Sequence, residues 1–79
     1  MELTITSPDE QHILKVAWFE IDTPVGNFII HAGHAPTIVT LLPQSIITIR
    51  LKSGKQESIK AHNGIAHITR KSATIILGD

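Results

Sequence analysis

Cysteine is missing altogether from this chain of 79 residues, which excludes a disulfide framework and any thiolate chemistry. Aromatic residues are almost as scarce. Trp18, Phe19 and Phe28 are the whole set, too few to form the stacking surface on which single-stranded nucleic acid binds. The formal net charge is zero, so there is no excess of cations of the kind a dedicated polyanion binder carries. No apolar run approaches the roughly 20 residues needed to cross a bilayer. The opening MELTITSPDE is polar and acidic, unlike a secretory signal. Also absent are a glycine-rich phosphate loop of the form G-x-x-x-x-G-K-[ST] and a Gly-x-Ser-x-Gly nucleophile turn. The serines, at positions 7, 45, 53, 58 and 72, mostly sit in turns or at strand starts. The chain is therefore read as non-enzymatic, with no cofactor, no nucleic acid and no metal site.

What is present is isoleucine, valine and threonine, with no long run of helix formers at 3.6-residue spacing. That is strand composition. Leu3 and Ile5 alternate with Glu2, Thr4 and Thr6, and SPDE at 7–10 reads as a turn. From His12 to Asp22, Ile13, Ala17, Phe19 and Ile21 share one parity and Leu14, Val16 and Trp18 the other. Either the strand is buried on both faces or a bulge changes its face near Lys15. TPVG at 23–26 reads as a turn, followed by extended runs at 28–31 and 37–42. Ser45 to Leu51 alternates cleanly and leads into KSGK, a four-residue hairpin connection. Asn63-Gly64 is the strongest short hairpin signal in the chain. Extended runs at 65–70 and 74–77 close the sequence. About eight to ten short strands with a turn every 8 to 12 residues imply an all-β, antiparallel β-sandwich or flattened barrel. One domain spans 1–79, and it is small enough to have little stability in reserve.

Two features invite a functional reading. His31 and His34, with His62 and His67 elsewhere, suggest zinc. A structural zinc site needs four ligands and a catalytic one three, and nothing in the sequence fixes the other histidines beside this pair. The charges are also segregated. Glu2, Asp9, Glu10, Glu20 and Asp22 lie in the first third with Lys15, whereas Arg50, Lys52, Lys55, Lys60, Arg70 and Lys71 come later, around Glu57. Such asymmetry marks either a two-sided docking surface or ordinary solvated strand faces.

The segment GNFIIHAGHAPTIVTLL resembles the N-terminal domain of the rotary ATP synthase epsilon subunit (delta in mitochondria). In that family, Gly-Glu-Leu-Gly, two hydrophobic residues and Pro-Gly-His-Ala-Pro precede an apolar strand. Gly33-His34-Ala35-Pro36 matches Gly-His-Ala-Pro unchanged. ELTITSPDEQ is similar to the family's opening strand and turn, and the run from Ser45 to Asp79 to its closing strands. The resemblance implies an epsilon-type β-sandwich that acts by binding. As a rotor-stalk component, it would link the gamma subunit to the membrane c-ring during proton-driven ATP synthesis. It would be peripheral to the membrane on the cytoplasmic side. Implied partner-facing residues are Gly26, Asn27 and Phe28 in the turn toward the c-ring, and Gly33, His34, Ala35, Pro36 and Val39 on the gamma side. In this reading Gly33 allows a positive φ or close approach, and Pro36 holds Ala35 extended. His34 is an interface or hydrogen-bonding residue and not a ligand.

This chain departs from the family pattern at several places. Asn27 stands where the family carries an acid, which removes one charge-assisted contact with c-ring loops. Ala32 stands where it carries proline, and Gln44-Ser45 are read in place of its Pro-Gly. The sequence ends at Gly78-Asp79, without the family's C-terminal helical hairpin, so ATP sensing and rotational inhibition are not expected. These departures suit the alternative, a free-standing soluble cytoplasmic module that self-associates or serves another partner.

Overall fold

The computed structural model describes residues 1–78. Alternating branched aliphatics give eight strands: β1 (Glu2–Thr6), β2 (Gln11–Thr23), β3 (Gly26–His31), β4 (Thr37–Thr40), β5 (Ser45–Leu51), β6 (Gln56–Ala61), β7 (Gly64–Ile68) and β8 (Ser72–Leu77). They form two layers. The first, sheet A, runs β4-β7-β8-β1-β2. The second, sheet B, pairs the C-terminal half of β2 with β3 on one side and β5 on the other, with β6 beyond β5. The all-β sandwich expected from the sequence is therefore what forms.

Long β2 joins the layers, and its two apolar parities are the cause. Leu14 and Val16 turn inward in sheet A, then Phe19, Ile21 and Thr23 do so in sheet B. The inward parity switches between Val16 and Phe19, where the register with β5 slips from Val16↔Leu51 to Trp18↔Arg50. Of the two readings, the bulge is the one realised, and near Lys15 as expected: it sits at Ala17, two residues on. Ile13 consequently faces solvent, 61% exposed. A bulge sharpens local twist, which lets one strand serve both sheets.

Between the layers lies an isoleucine-dominated core. Leu3, Val16, Phe19, Ile21, Ile30, Ile47, Ile49, Ile68 and Ile75 are all fully buried. Each such side chain contributes about 1.5–3 kcal/mol relative to exposure, which is how so small a chain can fold without a covalent staple. Two pairings depart from the sequence reading. β1 and β8 are parallel, Glu2↔Ser72 through Thr6↔Ile76, in an otherwise antiparallel structure. They are the two ends of the chain, and the whole of sheet B lies between them in sequence, so no tight turn dictates their direction. Asn63-Gly64 is not a hairpin turn either. β6 pairs with β5 and β7 with β4 and β8, so these residues carry the chain from one sheet to the other. Gly64 is needed for closeness, because a Cβ there would stand 2.9 Å from the Ile76 carbonyl oxygen. The KSGK connection is the hairpin expected, with Gly54 at φ 96° and Leu51 N–H donating to the Lys55 carbonyl.

Candidate interaction surface

The turn at 23–26 is fixed by its own side chains. Thr23 Oγ1 donates to the Gly26 carbonyl at 2.9 Å and accepts from Val25 N–H, while Gly26 takes a φ of 131°. Asn27 faces out, opposite Asp22 across the β2–β3 pair, and its Nδ2 donates to Asp22 Oδ1 at 2.9 Å. A carboxylate therefore still stands on this hairpin, one strand away from where the family pattern puts it. Phe28 turns its ring onto the core.

At the other end of β3, Gly33 has φ 87° and its N–H donates to the Arg70 carbonyl, tying this loop to the β7–β8 turn. His34 is half-buried; its Nδ1–H donates to the Ala35 carbonyl at 2.8 Å, and its backbone N–H returns to His31. Ala35 and Pro36 are exposed. The six residues of β3 separate the 26–28 turn from the 33–36 loop by roughly 17 Å, so the two groups form separate surfaces. Val39 belongs to neither, because it packs against the core. Gln44, preceded by Pro43, has φ 59°. Pro43-Gln44 therefore occupies the conformation a Pro-Gly pair would take, one residue earlier than the sequence reading placed it. Among the described residues, no three His, Cys, Asp or Glu side chains converge on a point that could hold a metal ion. No helix is long and apolar enough to cross a membrane.

The surface missed from sequence is the outer face of sheet A. Cross-strand register sets Thr40 beside Ile65 and Ile65 beside Ile76; the next row runs Ile38, His67, Thr74, Thr4, Ile13. Ile38 is 70% exposed, and Ile65 and Ile76 about half. Neither row holds an Asp, Glu, Lys or Arg, and an open apolar hollow lies at its edge between Thr40, Gly64, Ile65 and Leu77. Sheet B is different outside: Lys60, Glu20, Arg50 and Asp22 interrupt its outer face, and Arg50 lies over the Trp18 ring at 5.8 Å. An uncharged face of exposed isoleucines set among threonines and His67, on one side of the sandwich only, is a candidate surface for meeting another molecule. Its sequence signal was an isoleucine on the outward parity of three neighbouring strands.

Comparison with known proteins decides the family. A model of the ATP synthase Delta/Epsilon chain beta-sandwich domain matches residues 1–79. The chain belongs to this family. No curated protein matches it. Among solved structures, a chain of the Euglena gracilis mitochondrial ATP synthase OSCP/F1/c-ring assembly, in rotational state 1, is similar with a TM-score of 0.84 and 29% identity, over 95% of this chain and 48% of that one. A chain of the Tetrahymena thermophila mitochondrial ATP synthase central stalk and c-ring has a TM-score of 0.85 at 15% identity, over 100% of this chain and 63% of its own length, and so shares the fold. The delta/epsilon sandwich described here thus spans between about half and under two thirds of these relatives.

Proposed function

We propose that this delta/epsilon sandwich is a non-catalytic central-stalk component of an ATP synthase, one domain that couples the gamma subunit to the c-ring and is peripheral to the membrane. The observation that carries the reading is the uncharged outer face of sheet A in a member of this family. Ile38, Ile65, Ile76 and Ile13 dock on gamma, extended at the edge by His34, Ala35 and Pro36 beside β4. The turn carrying Gly26 and Asn27, with the Asp22 carboxylate, approaches the c-ring loops. The similarity to a chain of the Euglena OSCP/F1/c-ring assembly supports the stalk reading. Docking works here by burying apolar surface, and a specific interface should cover on the order of 1,200–2,000 Å². Rotor torque then passes through a rigid body, for which a dense aliphatic core is suited.

The test is co-expression with the gamma subunit of the same organism. The wild-type chain should co-purify at one copy per gamma, and Ile38→Asp, at a solvent-facing position, should abolish capture while leaving the thermal midpoint within a few degrees. Stable homo-oligomers with no affinity for gamma would contradict the rotor reading and select a self-associating sandwich.

A further inference from the structure

Hydrogen bonds and strand register close a circuit around one end of the sandwich. Lys52 N–H donates to the Lys15 carbonyl, Lys15 pairs with Glu2, and Glu2 pairs with Ser72 beside the β7–β8 turn. Arg70 of that turn accepts from Gly33, His34 N–H reaches back to His31, and His31 pairs with Trp18, which pairs with Arg50 above the β5–β6 hairpin. This circuit gathers Lys15, Arg50, Lys52, Lys55, Arg70 and Lys71, six of the seven Lys and Arg residues. Among the described residues, Glu2 and Glu57 accompany them, with Glu20 one outward position beyond Trp18 on sheet B; Glu57 is spoken for by Lys55 at 3.8 Å, and Arg50 by Gln56 and the Trp18 ring. Lys15, Lys52, Arg70 and Lys71 are all exposed. At the far end, the β1–β2 turn holds Asp9 and Glu10, and Asp22 lies where Leu42 N–H meets its carbonyl. Among the described residues, the charges of this chain of zero net charge are thus largely segregated between its two ends.

From this arrangement we infer that the basic end is a docking surface for an acidic polypeptide segment. Its loops, 32–36, 52–55 and 69–71, carry no exposed large aliphatic or aromatic side chain among the described residues, so it has nothing to insert between lipid chains. Trp18, the ring nearest to it, has Arg50 over it at 5.8 Å, and a single ring is not the series of aromatic platforms on which successive bases stack. The basic end is also continuous with the apolar face of sheet A through Lys15, which follows Ile13 on the same outward parity. An acidic ledge on a partner would steer the approach and fix its orientation before the apolar face closes, the role charge complementarity plays at interfaces. This inference stands on strand register, hydrogen bonds and exposure, and holds whether or not gamma is the partner.

The test is an amide NMR titration of the chain with hexaglutamate as the probe at 25 mM salt. Shifts should concentrate at residues 15, 31–34, 52–55 and 69–71. Affinity should fall about tenfold between 25 and 150 mM salt, as exposed charges are screened. Lys52→Glu with Lys55→Glu, and separately Arg70→Glu with Lys71→Glu, should each weaken binding about tenfold, whereas Lys60→Glu on the other half of the molecule should not. Absence of shifts, shifts unaffected by charge reversal, or tighter capture by phosphatidylserine vesicles or an oligonucleotide at equal salt would overturn it. Since these variants leave Ile38 untouched, their failure is distinct from failure of the rotor reading.

Discussion

Replacing Gly64 with alanine isolates one physical cause. The glycine does not sit at positive φ, so backbone strain is not at issue. A Cβ would stand 2.9 Å from the Ile76 carbonyl oxygen and 3.1 Å from Leu41 Cδ1 and Leu77 Cδ2. The leucine termini can move a few tenths of an ångström. The carbonyl cannot do so freely, because Ile76 is held between β7 and β1. Overpacking of this kind costs about 1–3 kcal/mol, offset by about 0.4–1 kcal/mol from the stiffer unfolded chain. The net effect is therefore a loss of up to about 2.5 kcal/mol, centred near ~1 kcal/mol. A domain this size holds only about 4–12 kcal/mol in all, and each kcal/mol moves its midpoint by roughly 4–8 °C. Urea unfolding followed by Trp18 fluorescence should show a lower midpoint at unchanged slope. Asn63→Ala should move it far less, since Asn63 does not shape a two-residue hairpin. A stabilised Gly64→Ala protein, or an Asn63→Ala loss as large as that of Gly64→Ala, would refute the sheet-crossing role assigned to this pair.

Other consequences follow from the same packing. Phe19→Ala empties a fully buried site between Ile30 and Ile49 and should cost about 3–5 kcal/mol, lowering the thermal midpoint followed by circular dichroism by roughly 10 °C or more. Gln44→Gly should raise the urea midpoint by relieving a left-handed residue worth about 1 kcal/mol or more, and Gln44→Val should lower it. Val39→Asp should unfold the protein, whereas Ile38→Asp one residue away should not, because only the former carries a charge toward the core. Metal analysis of the purified chain should find less than about a tenth of an equivalent of zinc, since His31 and His34 lack the further ligands a tight site requires.

How much of this was legible in the sequence depends on the range of the interaction concerned. Alternation at Leu3 and Ile5 or at Ile47 and Ile49 is local, and it located those strands and their inward faces. The two parities of β2 signalled a change of face near Lys15, and the register with β5 fixes it at Ala17. Asn63-Gly64 misled because a glycine required by a neighbouring carbonyl is spelled the same way as one required by a tight turn. The parallel β1–β8 pair leaves no local trace at all. At β4, apolar residues fall on both parities of a four-residue strand, and only the register with β7 shows that Val39 goes in and Ile38 out. From sequence, Gly33 allows a positive φ or a close approach, and its φ of 87° makes it the former; Gly26 reads only as the end of the TPVG turn, and the uncharged face around Ile38, Ile65 and Ile76 emerged only once three strands lay side by side.

The most direct test is amide hydrogen exchange of the chain alone and bound to the gamma subunit of its own organism. The account predicts new protection along β4, β7 and β8, greatest on the edge strand around Ile38, with β5 and β6 exchanging as before. Protection centred on β5 and β6, or a complex that leaves β4 as open as in the free chain, would contradict it.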